Sequence, residues 1–309
     1  MSQKDRTTQR RTFLKTGAAA AAGIASLGSV AKAAQDAMAT PLPTITLGEH
    51  EITRMISGWN PIGGHAHAVP ALALHMKEYF TDERVNEFLV NVENAGINCW
   101  QFSHGAKSIA ACRHLRERGS KLKTMVLHAE RTLDEPIVKV IEDTGCWSVV
   151  HHGNVTDMLI RAGRAQQVHD YVKKAHDLGI MAGVSAHNPD NIKMIADEGW
   201  ENDFFMTCFY YVTRPSDEQQ EQMGKVVLGE PFLVSDPTDM TDVVKQIDKP
   251  CLAFKILGAG RNCSSDYAVE KAFRFAFENI KSTDAVVVGM YPRFRDEISH
   301  NAALTMKYA

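Results

Sequence analysis

The fold this sequence predicts is α/β: a (β/α)₈ barrel preceded by an N-terminal β-hairpin. Three observations carry the prediction. Eight short, continuously apolar runs rich in β-branched and aromatic residues recur between positions 54 and 288. Longer stretches with apolar residues at helical spacing lie between them. Glycines fall where those stretches stop and the next run begins, as C-terminal helix stops do. Continuous apolar strands separated by helices indicate a parallel sheet covered on both faces. Eight such units in about 250 residues match a closed barrel. An open doubly wound sheet is the alternative, but no GxGxxG turn follows the first strand.

The elements follow in order. Residues 44–52 alternate and turn at Gly48, which reads as a hairpin. Strands are predicted over 54–57, 98–102, 124–128, 147–151, 181–185, 204–209, 252–256 and 285–288. Helices are predicted over 82–95, 164–178, 191–198, 216–226, 239–247 and 267–279. The first of these places Val85, Phe88, Leu89 and Val92 on one face. Gly96, Gly145, Gly179 and Gly199 sit between helix and strand.

In such a barrel the chemistry lies at the C-terminal strand ends. Those ends are rich in histidine: His65 and His67 after strand one, His104 after strand two, His128 on strand three, His151 and His152 on strand four, His187 on strand five. Imidazole suits proton transfer near neutral pH and transition-metal binding. Lys255 interrupts the apolar run Leu252-Ala253-Phe254-Lys255-Ile256-Leu257, and a lysine in a barrel mouth can act as a base, a Schiff-base amine or an anion anchor. Glu130 is the best-placed carboxylate. The expected catalytic set is His128, Glu130, His151, His152, His187 and Lys255. Asn60, Gln101, His104, Asn188 and Tyr210 are expected to bind substrate. Asp157 and Asp190 flank helical segments and read as caps. His65-x-His67 also resembles the metal-binding start of amidohydrolases, but the last strand, Val288-Gly289-Met290-Tyr291, lacks the Asp which that family needs.

Bulk properties narrow the class. The chain has 309 residues, 44% hydrophobic and 23% charged, ordinary for a globular protein. A net charge of −3 gives no reason to expect nucleic acid. Thr8-Gln9-Arg10-Arg11-Thr12-Phe13-Leu14-Lys15, an Ala/Gly-rich apolar run and Ala31-Lys32-Ala33 resemble, in order, the parts of a twin-arginine signal with its cleavage site. The expected organisation is therefore a signal peptide at 1–33, a linker at 34–43 and one barrel domain at 44–309. The likeness implies recognition by the twin-arginine export machinery, and a periplasmic or extracellular protein not held at the membrane after signal removal. Six cysteines form no CxxC pair, and several lie in strand-like runs, so buried free thiols are expected.

Four blocks are similar to one known family. Residues 45–64, Ala95-Gly96-Ile97-Asn98, Gly183-Val184-Ser185-Ala186-His187-Asn188-Pro189 and Val287-Val288-Gly289 resemble the opening hairpin and strand, the approach to strand two, the strand-five block and the closing strand of the aldo/keto reductase superfamily. The resemblance implies a TIM barrel and an NADP-dependent oxidoreductase, with Arg293 and Arg295 as the cofactor-side cations. The family's Asp, Tyr, Lys and His fall on Gln101, no tyrosine, His128 or its neighbourhood, and His151 or His152. Three of the four roles are thus replaced, which implies a rebuilt site.

Three functions follow as expectations. The leading one is an exported barrel enzyme with a His/Glu/Lys acid–base site, with or without a divalent metal, acting on a small polar or carbohydrate-derived substrate. The others are an NADP-dependent oxidoreductase and a non-catalytic barrel that binds a small molecule.

Overall fold

The computed structural model describes residues 41–131 and 135–309. The expected signal at 1–33 and most of the linker lie outside the described residues.

The chain opens with β1 (Thr44–Leu47) and β2 (His50–Thr53), an antiparallel hairpin turning at Gly48, whose φ of +59° is left-handed. Then β3 (Met55–Gly58), α1 (Asn60–Gly63), α2 (Pro70–Tyr79), α3 (Asp82–Asn94), β4 (Cys99–Ser103), α4 (Ala106–Glu117), β5 (Lys123–His128), α5 (Ile137–Thr144) and β6 (Ser148–His151) follow. The second half holds α6 (Gly153–Arg161), α7 (Ala165–Asp177), β7 (Met181–Ala186), α8 (Pro189–Asp197), β8 (Phe204–Cys208), α9 (Ser216–Met223) and α10 (Asp236–Val244). It closes with β9 (Cys251–Phe254), α11 (Asp266–Asn279), β10 (Ala285–Gly289) and α12 (Glu297–Tyr308). Strands β3 to β10 form a closed parallel barrel, with β10 pairing back onto β3. The predicted barrel and its hairpin are thus both present.

Two layers of apolar burial hold it. Inside, Ile56, Cys99, Met125, Val150, Phe204 and Leu252 pack together, and the hairpin's Ile45, Leu47 and Ile52 join them as a plug. A Cβ on Gly183 would lie 2.5 Å from the Phe204 ring, so the missing side chain on β7 is what admits that ring to the interior. Outside, the helices lay their apolar stripes on the strands; α3 buries Val85, Phe88, Leu89 and Val92, as their spacing predicts. Thr81 caps α3 by accepting from the Arg84 amide at 3.3 Å.

Several helices escaped the periodicity reading. α2 buries none of its residues, so it has no core stripe to find. α6 and α12 start directly at the barrel mouth, and their inner faces carry polar residues such as Asp157 and Asn301. All six cysteines are free; five are buried and Cys263 is half-buried. Among the described residues no helix is long and apolar enough to cross a membrane.

Candidate active site

The C-terminal strand ends surround a cavity of about 500 Å³. β3 leads into Asn60 and the loop carrying His65 and His67. β4 contributes Gln101, the β6 end His152, the β7 end His187, and the residue after β9 is Lys255.

Lys255 lies one residue past β9, not inside it as the sequence suggests, and its φ is +59°. Among the described residues only two other non-glycine residues have positive φ, His67 at +49° and Ala259 at +52°, and both line this same cavity. Left-handed backbone is costly for residues with a Cβ, and such strain concentrates at functional sites.

The two strained polar residues meet. Lys255 Nζ lies 3.0 Å from His67 Nε2, and His67 Nδ1 lies 2.7 Å from Glu230 Oε2. An ammonium only donates and a carboxylate only accepts. His67 must therefore accept at Nε2 and donate from Nδ1, which fixes its tautomer. Glu230 sits in the 224–235 loop. Burial pushes its carboxyl pKa up, but the hydrogen bond from His67 and the positive charge of Lys255 outweigh that and hold it below the usual carboxylate value. Burial lowers the Lys255 pKa, against opposing pulls from Cys208 and Glu230.

His187 is held differently. Its Nδ1 lies 3.0 Å from Asp157 Oδ2, and its backbone amide donates to the same oxygen at 3.0 Å. Thr213 Oγ1 adds a third bond at 2.8 Å, and Asn191 Nδ2 reaches Asp157 Oδ1 at 2.8 Å. So satisfied, Asp157 stays ionised: burial opposes this, and the bonds from His187 prevail. The sequence reading of Asp157 as a cap is corrected: it sits inside α6, turned toward the barrel. His187 in turn keeps its free lone pair on Nε2. Burial lowers its pKa despite Asp157, and the charge of Lys255 lowers it further, so the ring is neutral near pH 7. His152 Nδ1 is buried without a partner, and burial brings its pKa down to about 3.

Seven expected residues lie outside the cavity, two of them, His128 and His151, for a reason the register makes plain. His128 and His151 are paired across β5 and β6, so their side chains share one face. That face is the outer one, against Tyr171 of α7. His128 Nδ1 lies 3.1 Å from the Tyr171 hydroxyl and Nε2 lies 3.0 Å from the Glu135 carbonyl. The His151 ring packs edge-on to Tyr171, and its Nδ1 lies 2.7 Å from Thr156 Oγ1. Glu130 accepts from the Ile137 amide at 2.9 Å and pairs with Lys174, anchoring the start of α5. His104 pairs with Asp143 at 3.0 Å on the outer flank. Asn188 caps α8 by accepting from the Asp190 amide at 3.0 Å.

Tyr210 accepts from Asn262 Nδ2 at 3.0 Å and packs on Phe232, again off the cavity. Arg293 lies beside the rings of Tyr79 and Phe294. Arg295 does line the cavity, but it pairs with Asp266 at 2.5 Å and faces Glu297 at 3.7 Å. Asn60, Gln101, His152, His187, Lys255 and Arg295 are therefore the expected residues that share the cavity. Reasoning from sequence missed Glu230 and the role of Asp157; it placed His67 among the strand-end histidines and in an HxH pair but not in the expected catalytic set. Among the described residues no three His, Cys, Asp or Glu side chains are arranged to hold a metal ion, so the metal-assisted variant of the expected site has no ligand set there.

No protein-family model matches the chain, and no curated protein matches it. Solved structures do resemble it. An aldo-keto reductase from Klebsiella pneumoniae in complex with NADPH superposes with a TM-score of 0.55 at 11% identity, over 86% of this chain and 90% of that one. A second aldo/keto reductase from that organism, in complex with NADP and acetate, gives 0.50 at 14% identity over 85% and 90%. The holo form of an aldo-keto reductase from Bacillus halodurans gives 0.53 at 10% identity over 87% and 91%. At these identities the likeness shows the fold: this chain is built as an aldo-keto-reductase-like TIM barrel.

Proposed function

We propose that this protein is an acid–base enzyme acting on a small polar, carbonyl-bearing substrate in the barrel cavity. One observation carries the reading: two carboxylate-oriented imidazoles, His67 on Glu230 and His187 on Asp157, line one cavity with Lys255. A carboxylate on Nδ1 leaves Nε2 as the working nitrogen and stabilises the imidazolium formed when that nitrogen takes a proton. His187 Nε2 is the base in this reading. His152 is a second neutral imidazole on the same wall. Gln101 and Asn60 offer neutral donors and acceptors to hydroxyl groups, and Lys255 meets the carbonyl group.

The test is proton exchange. Small hydroxy-ketones, hydroxy-aldehydes and keto acids are incubated in D₂O and their α-protons followed by NMR. Enzyme-dependent exchange that is lost in His187→Ala supports the reading; exchange that survives unchanged in that variant, or no exchange with any compound, defeats it.

NADP-dependent oxidoreduction is the second reading. The cavity is also lined by Leu257, Gly260, Cys263 and Val269, and the NADP-bound structures named above share the fold. The charges lining the cavity near Arg295 do not fit a pyrophosphate. Arg295 already faces two carboxylates, and one of them, Glu297, itself lines the cavity. Saturable quenching of NADPH fluorescence would restore this reading, and its absence would end it.

Export through the twin-arginine route, with work in the periplasm, belongs to the same proposal and rests on Arg10-Arg11 and the apolar run after them. Replacing both arginines by lysine should leave the protein in the cytoplasm, as cell fractionation would read out.

A further inference from the structure

We propose that Lys255 is a covalent nucleophile that forms an imine with a carbonyl substrate, with His67, oriented by Glu230, as the base that relieves it of its proton. This rests on the acid–base reading of the cavity and names its chemistry and substrate class.

The geometry leads there in three steps. First, Lys255 forms its hydrogen bond to a neutral imidazole nitrogen rather than an ion pair to a carboxylate. A lysine kept as a permanent cation in a closed site is normally met by an anion. Here the anion, Glu230, stands one residue further out, behind His67. The order amine, imidazole, carboxylate lets the proton move from Nζ to Nε2 while the resulting imidazolium gains the carboxylate as its partner. Second, the strained φ of +59° at Lys255 and +49° at His67 turns both side chains off their regular paths and toward each other in the cavity mouth. A lysine serving packing alone has no need of that backbone. Third, imine formation needs a proton for the departing oxygen, and an imidazolium at His67 supplies it beside the reacting carbon. Burial, which lowers the Lys255 pKa, favours the amine form that attacks.

The step balances. The Lys255 ammonium gives a proton to His67 Nε2. The amine lone pair forms the C–N bond as the C=O π pair moves onto oxygen, and a proton shifts from nitrogen to oxygen to give the carbinolamine. His67 returns its proton to that hydroxyl, water leaves, and the nitrogen lone pair closes the C=N bond. An ammonium and a carbonyl become a protonated imine and water, with no change of oxidation state. The imine then acidifies the neighbouring C–H, within reach of the cavity's other imidazoles, His187 and His152.

The experiment traps the imine. The full-length protein is incubated separately with glyoxylate, pyruvate, glyceraldehyde and dihydroxyacetone, each with sodium borohydride, and modified lysines are located by peptide mass spectrometry. One adduct per chain at Lys255 with at least one probe, formed ahead of any surface lysine, is the expected result. Glu230→Gln and His67→Gln, checked for fold by circular dichroism, should slow that adduct about a hundredfold. Label on surface lysines with none at Lys255 for all four probes overturns the proposal; so does a Lys255 adduct that forms at the same rate in both variants. Pyruvate, glyceraldehyde and dihydroxyacetone, which carry α-protons, separate the two readings in D₂O. Exchange of α-protons without an adduct removes the nucleophile and leaves the acid–base site standing, whereas absence of both removes both.

Discussion

His187 Nδ1 lies 3.0 Å from Asp157 Oδ2, with His187 4% and Asp157 2% exposed. The carboxylate fixes both the ring's orientation and its tautomer, because the same oxygen also takes the His187 backbone amide. In Asp157→Asn an amide group replaces the acceptor. The ring then loses the partner that holds the proton on Nδ1. We expect His187-dependent proton exchange to fall about 10³–10⁴-fold, the scale found when a buried Asp that orients a catalytic His is neutralised. Unfolding in urea should show a loss of about 2–4 kcal/mol, since the polar groups converging on Asp157 lose a charged acceptor. Wild-type exchange in a destabilised variant would reduce Asp157 to a structural role.

Stability should fall as pH drops from about 6.5, well before ordinary carboxylates titrate. His151 and His152 are buried, and burial depresses both pKa values to about 3. In the unfolded chain they protonate near 6.5. Between those values the unfolded state binds protons that the folded state refuses, so each stabilises the fold fully above 6.5 and loses that contribution as pH falls. The slope is about 1.4 kcal/mol per pH unit for each group. Asp157, whose pKa is depressed, acts only at lower pH, where its contribution is lost as it is protonated. Urea unfolding at pH 7.5 and pH 5.0 should therefore differ by about 4 kcal/mol from these two residues alone. His151→Gln should recover part of the difference. A flat profile over this span would mean that the rings are already charged or reach water.

The barrel was legible because each strand is apolar on both faces and each helix carries a stripe, so the pattern survives small errors of boundary. The site depends on single-residue facts that such a pattern does not carry. His151 and His152 are adjacent, yet one faces Tyr171 outside the barrel and the other the cavity. No composition rule separates them; the pairing of His128 with His151 does. Lys255 stood out as a charge in an apolar run, but its placement past the end of β9 rests on a backbone angle that nothing in Phe254-Lys255-Ile256 announces. Glu230 lies in a loop with no period or motif, and it becomes functional only because that loop folds over His67.

The strain at Lys255 has a measurable consequence. A non-glycine residue in the left-handed region costs about 1–2 kcal/mol, and glycine does not bear that cost. Lys255→Gly also removes an amine whose charged form burial disfavours. We expect the variant to be more stable by about 1 kcal/mol, a rise of a few degrees in Tm, while imine trapping is abolished. A fall in Tm would show that the lysine is needed for packing, and the functional account of its backbone would fail.

Gly153, the first residue of α6, makes the last case. Its φ is not in the left-handed region, so conformational freedom does not explain it. Space does: a Cβ there would lie 2.9 Å from His187 Cε1 and 2.9 Å from Ser185 Oγ. Cβ atoms do not tolerate such contacts, and His187, held behind by Asp157, has no room to retreat. In Gly153→Ala the ring must therefore rotate off the carboxylate, or α6 must shift outward. Either movement uncouples Nδ1 from Asp157 while the barrel strands, which Gly153 does not pair, stay closed. Proton exchange should drop at least about a hundredfold with unchanged circular dichroism and a stability loss of about 1–3 kcal/mol. The His187 ring signals in an NMR spectrum should move together with the loss. If exchange persists while those signals shift, His187 is not the base, and the working imidazole has to be sought at His152.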